Sequence, residues 1–143
     1  MYEDLPNGVR EKKIKIVLTA RNPKDTVVSF YNHAMNVKGF YSGTFDDFFD
    51  MFLKGMLPYG SYCDFYTSWD NLLKHPTDHP VLLVEFEDNK ANPLQCVKRI
   101  AHFLELDISD EFAKEIVKNT SFSHVKTKRT KNIDRDIFRK GKS

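Results

Sequence analysis

The sequence predicts an α/β fold with parallel strands and several flanking helices, and three observations predict it. Two short runs, "IKIVLTA" (14–20) and "VLLVEFED" (81–88), are rich in apolar and β-branched residues and have the composition of buried strands. The long stretch between them carries apolar residues at helical spacing, so the strands are joined through helices and pair in parallel. Each strand is followed by an Asn-Pro step, Asn22-Pro23 and Asn92-Pro93, which suits the first turn of a helix.

The elements follow in order. The first strand reads as buried on both faces near its end. At Asn22-Pro23 an Asn cap, a Pro preorganised for the first helical position and Asp25 near the positive end of the dipole start a helix. Val27, Val28, Tyr31, Ala34 and Met35 give it one apolar face, and Gly39 can stop it. Thr44 to Asp47 resembles a capping box with Asp in the acidic place. Phe45, Phe48, Phe49, Phe52 and Leu53 then form an aromatic stripe expected in the core of a helix ending at Gly55. A third helix spans about Ser61 to Lys74 and carries Tyr62, Phe65, Tyr66, Trp69, Leu72 and Leu73. "HPTDHP" is a loop, followed by the second strand, 81–88. Val97, Ile100, Ala101, Phe103 and Leu104 line the helix after Asn92-Pro93, and Ser109 caps "DEFAKEIVKN". Beyond Phe122 the periodicity fades into an extended basic tail. Residues 1–143 read as a single domain, with 124–143 as a basic, flexible tail. Two strands make a poor sheet, so the domain is expected to be partial.

Composition narrows the function classes. The formal net charge of +2 hides an asymmetry. Residues 124–143 hold eight Lys/Arg and two Asp, while the first 123 hold 14 basic and 18 acidic residues. A basic end on an acidic body fits an anionic partner or a solvated terminus. Cys63 and Cys96 match no metal-binding or redox spacing and read as free thiols of a reducing compartment. The opening "MYEDLPNGVREKK" is no signal peptide, and no apolar run reaches the ~20 residues of a membrane span. The expectation is a soluble, cytoplasmic protein that does not engage a membrane. Its oligomeric state is open.

The most informative short stretch is "TARNPKDTVVSFYNH" (19–33). Arg21 sits between a strand and a helix start, where ligands bind in open α/β sheets. Its guanidinium can take two phosphate oxygens at once, and Ser29, about two helical turns deeper, can reach a further oxygen. The alternative is an ion pair between Arg21 and Asp25, with Ser29 a small packing residue. "FRKGKS" closes the chain, but Gly141-Lys142-Ser143 is not a Walker A motif. The Gly required five places before Gly141 is Asp136. That speaks against a nucleotide kinase. Arg139, Lys140 and Gly141 still form a flexible cationic clip, since Gly permits close backbone approach. The five histidines form no ligand set, so no metal is expected. The basic end carries one aromatic, Phe138, and no stacking platform, which speaks against nucleic acid.

Taken together, "IVLTARNPKDTVVSFYNH", "VLLVEFEDNKANP", "NTSF" and "FRKGKS" resemble, in order and spacing, the successive landmarks of the cytosolic sulfotransferases along essentially the whole chain. The resemblance implies a P-loop-like α/β fold. It also implies transfer of a sulfuryl group from 3′-phosphoadenylyl sulfate to a hydroxyl or amine of a small acceptor, an alcohol, phenol or amine. It places Arg21 and Ser29 on the 3′-phosphate of the nucleotide, joined by Arg139, Lys140 and Gly141. Thr120 and Phe122 border the adenine, and His33 falls where the family's helix faces the acceptor. One departure is Phe86, where the family often has a Tyr that contacts the nucleotide.

The resemblance also defines absences. The family's 5′-phosphosulfate loop, of the "YPKSGT" type, and its catalytic His lie upstream of "ARNPKD", and the family continues "GDW" after the clip. The expectation is a fragment that supplies the 3′-phosphate half-site, contains no catalytic residue and is inactive alone. Sulfuryl transfer needs a base for the acceptor and cations at the leaving phosphate. The rival reading is a non-catalytic anion-binding or interaction module derived from a sulfotransferase.

Overall fold

The computed structural model describes residues 4–74 and 79–129. Along them run α1 (Asn7–Glu11), β1 (Ile16–Ala20), α2 (Pro23–Asn36), α3 (Phe45–Leu53), α4 (Tyr62–Lys74) and β2 (Val81–Glu85). Then follow α5 (Phe86–Ala91), α6 (Pro93–Phe103), α7 (Asp110–Thr120) and α8 (Phe122–Arg129). The strands pair in parallel, with Ile16 opposite Val81 and Ala20 opposite Glu85. Leu18 and Val84 are both buried. Leu18 lies opposite Leu83, and side chains alternate along a strand, so Leu18 and Val84 point to opposite faces. Both faces are therefore partly covered, with most strand residues half-buried and Thr19 and Glu85 exposed. On the Leu18 face, α4 and the sheet border an open pocket of about 380 Å³, with Leu18, Ala20, Leu83 and Glu85 along its sheet side and Tyr66 and Trp69 along its helix side.

Helix starts follow their caps. The Asn22 side chain accepts from the Lys24 amide at 2.9 Å, and Ser109 accepts from that of Phe112 at 3.1 Å. Thr44 accepts from the Asp47 amide at 3.2 Å while its hydroxyl donates to the Asp47 carboxylate at 2.6 Å. Gly55 takes a positive φ of 65° after α3, and a Cβ there would stand 2.9 Å from that of Ser61. Both features demand glycine.

The main core lies where α2 meets α3. Val27, Ala34, Phe48 and Leu57 are buried, with Phe30, Tyr31 and Phe52 among the rings packed around them. Phe48 is fully enclosed and meets Phe30, Tyr31 and Tyr41 edge-to-face at 5.3, 5.5 and 5.0 Å between centroids. Such pairs are worth roughly 0.5–1.5 kcal/mol each beyond the area they bury.

The structure corrects three expectations. The second strand ends at Glu85, not at residue 88, and "FEDNKA" turns into α5. β1 has no residue left to pair with beyond Ala20, and Glu87 and Asp88 in the first turn suit the helix dipole. The aromatic stripe of α3 is only partly core, since Phe45, Phe49 and Leu53 are exposed. They stand four residues apart on a ridge beside the one that Phe48 presents to α2. Residues 122–129, read as the start of an extended tail, form α8, which begins with the Val125 amide bonded to the Ser121 carbonyl at 3.0 Å. The rest of the basic end, 130–143, lies outside the described residues.

Candidate functional site

Strand register builds the site. Ala20 and Glu85 are the last paired residues, so Arg21 and Phe86 emerge side by side at the carboxyl end of the sheet. The Arg21 guanidinium carbon lies 4.5 Å from the centre of the Phe86 ring, a cation–π contact. One residue further, the Asn22 amide donates to Glu87 Oε1 at 3.0 Å, with the same 65-residue separation as the strand partners. The ladder thus continues past the strands as side-chain contacts.

Arg21 belongs to neither β1 nor α2, so its main-chain groups need partners from elsewhere. They come from α4. The Tyr62 hydroxyl donates to the Arg21 carbonyl. The Tyr66 hydroxyl accepts from the Arg21 amide at 3.2 Å and donates to the Thr19 carbonyl at 3.3 Å. The two tyrosine rings stand 4.6 Å apart, as expected of residues four apart on one helix. Burial first, and hydrogen bonding to Tyr66 second, push the Tyr62 hydroxyl up to about 12. The Glu87 carboxyl is held below the usual carboxylate range, first by the Asn22 amide, with the Arg21 charge adding to it.

The Arg21 side chain has an unmet demand. Its Nε is buried and has no hydrogen-bond partner. The ion pairs among the described residues include Lys15–Glu105 and Lys98–Asp110, and none joins Arg21 to Asp25, so the alternative pairing that the sequence allowed is not formed. The start of α2 offers few donors of its own. Pro23 has no N–H, that of Lys24 goes to the Asn22 side chain, and that of Thr26 goes to the Asn22 carbonyl at 2.9 Å.

The other sequence-derived residues are placed more loosely. Ser29 is on α2 and exposed. Thr120 ends α7, and both acceptors of its hydroxyl, the carbonyls of Ile116 at 2.8 Å and Val117 at 3.4 Å, lie in its own helix. Phe122 opens α8 and is partly exposed. Contacts of α6 with both β2 and α7 tie this end to the sheet. His33 is exposed, with its ring edge-on to Phe40 at 6.4 Å. Arg139, Lys140 and Gly141 lie outside the described residues. Sequence reasoning missed Tyr62, Tyr66 and Glu87 as parts of the site. Their signal was present in the i, i+4 tyrosine pair and in the constant offset between the two strands, but the tyrosines equally fit the ordinary pattern of that helix.

Among the described residues, no group of three or more His, Cys, Asp or Glu could hold a metal ion, and no helix is long and apolar enough to cross a membrane.

Comparison with known proteins follows the same lines. The family model described as "Sulfotransferase domain" matches residues 1–143. Mouse Sulfotransferase 6B1 is 35% identical over 144 residues, which cover 98% of this chain and 46% of that protein. Rat Sulfotransferase 1A1 is 38% identical over 123 residues, covering 85% of this chain and 41% of that one. The solved structure of mouse sulfotransferase SULT7A1 complexed with PAP superposes with a TM-score of 0.81 at 36% identity, over 88% of this chain and 45% of that one. A retinol dehydratase in complex with androsterone and PAP gives a TM-score of 0.72 at 25% identity, over 87% and 36%. The chain spans less than half the length of these relatives. A family model matched along the whole chain, relatives sharing more than a third of its residues, and neighbours with the same α/β arrangement lead to one conclusion: the chain belongs to the sulfotransferase family.

Proposed function

We propose that this chain supplies the 3′-phosphate-binding part of a sulfuryl-transfer site, with Arg21 as its principal anion-binding group. The observation that carries this reading is the buried, unpartnered Nε of Arg21 at the carboxyl end of the sheet. A buried donor without a partner costs about 1–3 kcal/mol, and a phosphate oxygen removes that cost while taking the charge. PAP in the structural neighbours supports the choice of nucleotide. Bound 3′-phosphoadenylyl sulfate supplies the sulfuryl group to a hydroxyl or amine of a small acceptor. On this reading Ser29 adds a hydroxyl to the same phosphate, Thr120 and Phe122 border the adenine, and Arg139, Lys140 and Gly141 close over the phosphate.

The residues assembled around Arg21 bind and orient, and none is suited to take a proton from the acceptor. Glu87 is the carboxylate on which the Arg21 charge acts. It already accepts from the Asn22 amide, and its proton affinity is lowered. Tyr62 holds its proton up to about 12. The chain by itself is therefore expected to bind nucleotide without turning over. Calorimetric titration with adenosine 3′,5′-bisphosphate tests the reading. Arg21→Ala should weaken binding at least about tenfold, the roughly 1.5–3 kcal/mol of a charged hydrogen bond. Equal binding by a folded Arg21→Ala chain, or no binding by the folded wild type, overturns it. Turnover with 3′-phosphoadenylyl sulfate and a phenol would show that the chain carries a base not identified in its site.

A further inference from the structure

The third helix of the long connection contributes to the site in a way its sequence does not advertise. Arg21 is the one residue between Ala20, the end of β1, and Asn22, the cap of α2. A residue in that position has its N–H and its C=O left over from both elements, and its side chain points wherever the local main chain happens to turn. Here both groups are taken up by hydroxyls from a single helix. Tyr62 holds the carbonyl, and Tyr66 holds the amide while reaching the Thr19 carbonyl. A phenol has one proton to donate and lone pairs to accept with, and Tyr66 uses both capacities on the main chain around Arg21. The Phe86 ring then supports the guanidinium at 4.5 Å. With the main chain fixed on two sides and the side chain resting on a ring, the ordering of Arg21 is completed on folding and is not charged against ligand binding.

We infer that Tyr62 and Tyr66 are positioning residues, a two-hydroxyl clamp on the main chain of Arg21 that aims its guanidinium at the anion. The inference rests on the reading of Arg21 as the phosphate-binding group. Neither tyrosine touches the ligand; each acts through Arg21. A purely structural role, tying α4 to the sheet, makes a different prediction. It lowers thermal stability when removed but leaves the folded protein's affinity alone, or weakens it whether or not Arg21 is present.

The test is a double-mutant cycle read by calorimetry with adenosine 3′,5′-bisphosphate on the full chain, with circular dichroism to establish folding. Tyr62→Phe and Tyr66→Phe keep the rings and remove one hydroxyl each. Each should weaken binding about 3- to 10-fold, the range of one net hydrogen bond expressed through affinity. On an Arg21→Ala background the same substitutions should change nothing, because the group they aim is gone. If either single variant binds like the wild type while Arg21→Ala loses tenfold, the clamp is overturned and the anion reading stands. If the tyrosine effects persist undiminished without Arg21, the clamp is likewise overturned in favour of general loosening. If wild type and Arg21→Ala bind equally, the anion reading fails and the clamp falls with it. Should Tyr62→Phe not fold, Tyr66→Phe decides the matter.

Discussion

Among the described residues, two strand-to-helix junctions stand at the same end of the sheet, and they solve the same problem differently. After β1 the chain spends Arg21 and Asn22 before α2 begins at Pro23, and Asn22 caps the helix with its side chain. After β2 it spends nothing, because α5 starts at Phe86 directly after Glu85, with no side-chain cap. The second Asn-Pro step is deferred to α6, where Asn92 has φ −134° and ψ 62° and makes no side-chain cap bond. The same dipeptide is thus a true cap in one place and a mere connector in the other. What differs is whether a residue is left between the elements. A gap leaves a main-chain unit that other parts of the molecule must satisfy, and that unit belongs to Arg21, whose buried Nε has no hydrogen-bond partner.

The comparison can be broken by substitutions that treat both junctions alike. Asn22→Ala should destabilise the protein by about 1 kcal/mol, the usual value of a helix cap, whereas Asn92→Ala should fall within a few tenths of the wild type. Denaturant unfolding measures both, and equal losses would show that the caps are equivalent. A smaller effect sharpens the pairing of the two junctions across the sheet. Phe86→Leu keeps an apolar side chain but removes the ring under Arg21. The contact is worth about 0.5–1 kcal/mol at an exposed site, so bisphosphate affinity should fall by about 2- to 5-fold, and an unchanged dissociation constant would show that the ring does not support the cation. The smallest effect concerns pH. The folded-state affinity of Glu87 for its proton is lowered, so its contribution to stability is present above the unfolded carboxylate range and is lost as pH falls through the lower folded value. Glu87→Gln should flatten the acid limb of the stability profile slightly. A steeper limb would contradict the sign.

Much of this was legible beforehand for reasons that are local. Asn22-Pro23, Thr44 and Ser109 announce helix starts through groups a few residues away, and the structure uses all three. Arg21 was legible because a guanidinium just past an apolar strand has no local reason to be there. The end of β2 was not, because "EFED" alternates like a strand. What stops it is the length of a partner more than sixty residues earlier. The tyrosines were hidden for a similar reason. Their hydroxyls act on a main chain 41 and 45 residues away, while their rings satisfy the same helical pattern as Phe65 and Trp69. α8 was missed because its residues form no apolar stripe from which a helix could be read.

Pairing Ala20 with Glu85 has a consequence for how the protein tolerates changes in length. Residues added to the excursion between the strands, or removed from it, alter only a connection, and long connections accept such changes at small entropic cost. A single residue gained or lost inside β2 is another matter. It would turn every following side chain to the other face, and it would bring a carboxylate level with Arg21 in place of Phe86, that of Glu87 after a loss and that of Glu85 after a gain. The guanidinium would then meet a carboxylate instead of an aromatic ring, and an ion pair would occupy the charge now available to a ligand. Whether the guanidinium at this junction meets an aromatic ring or a carboxylate is thus decided by counting residues in a strand that carries no charge until its last position.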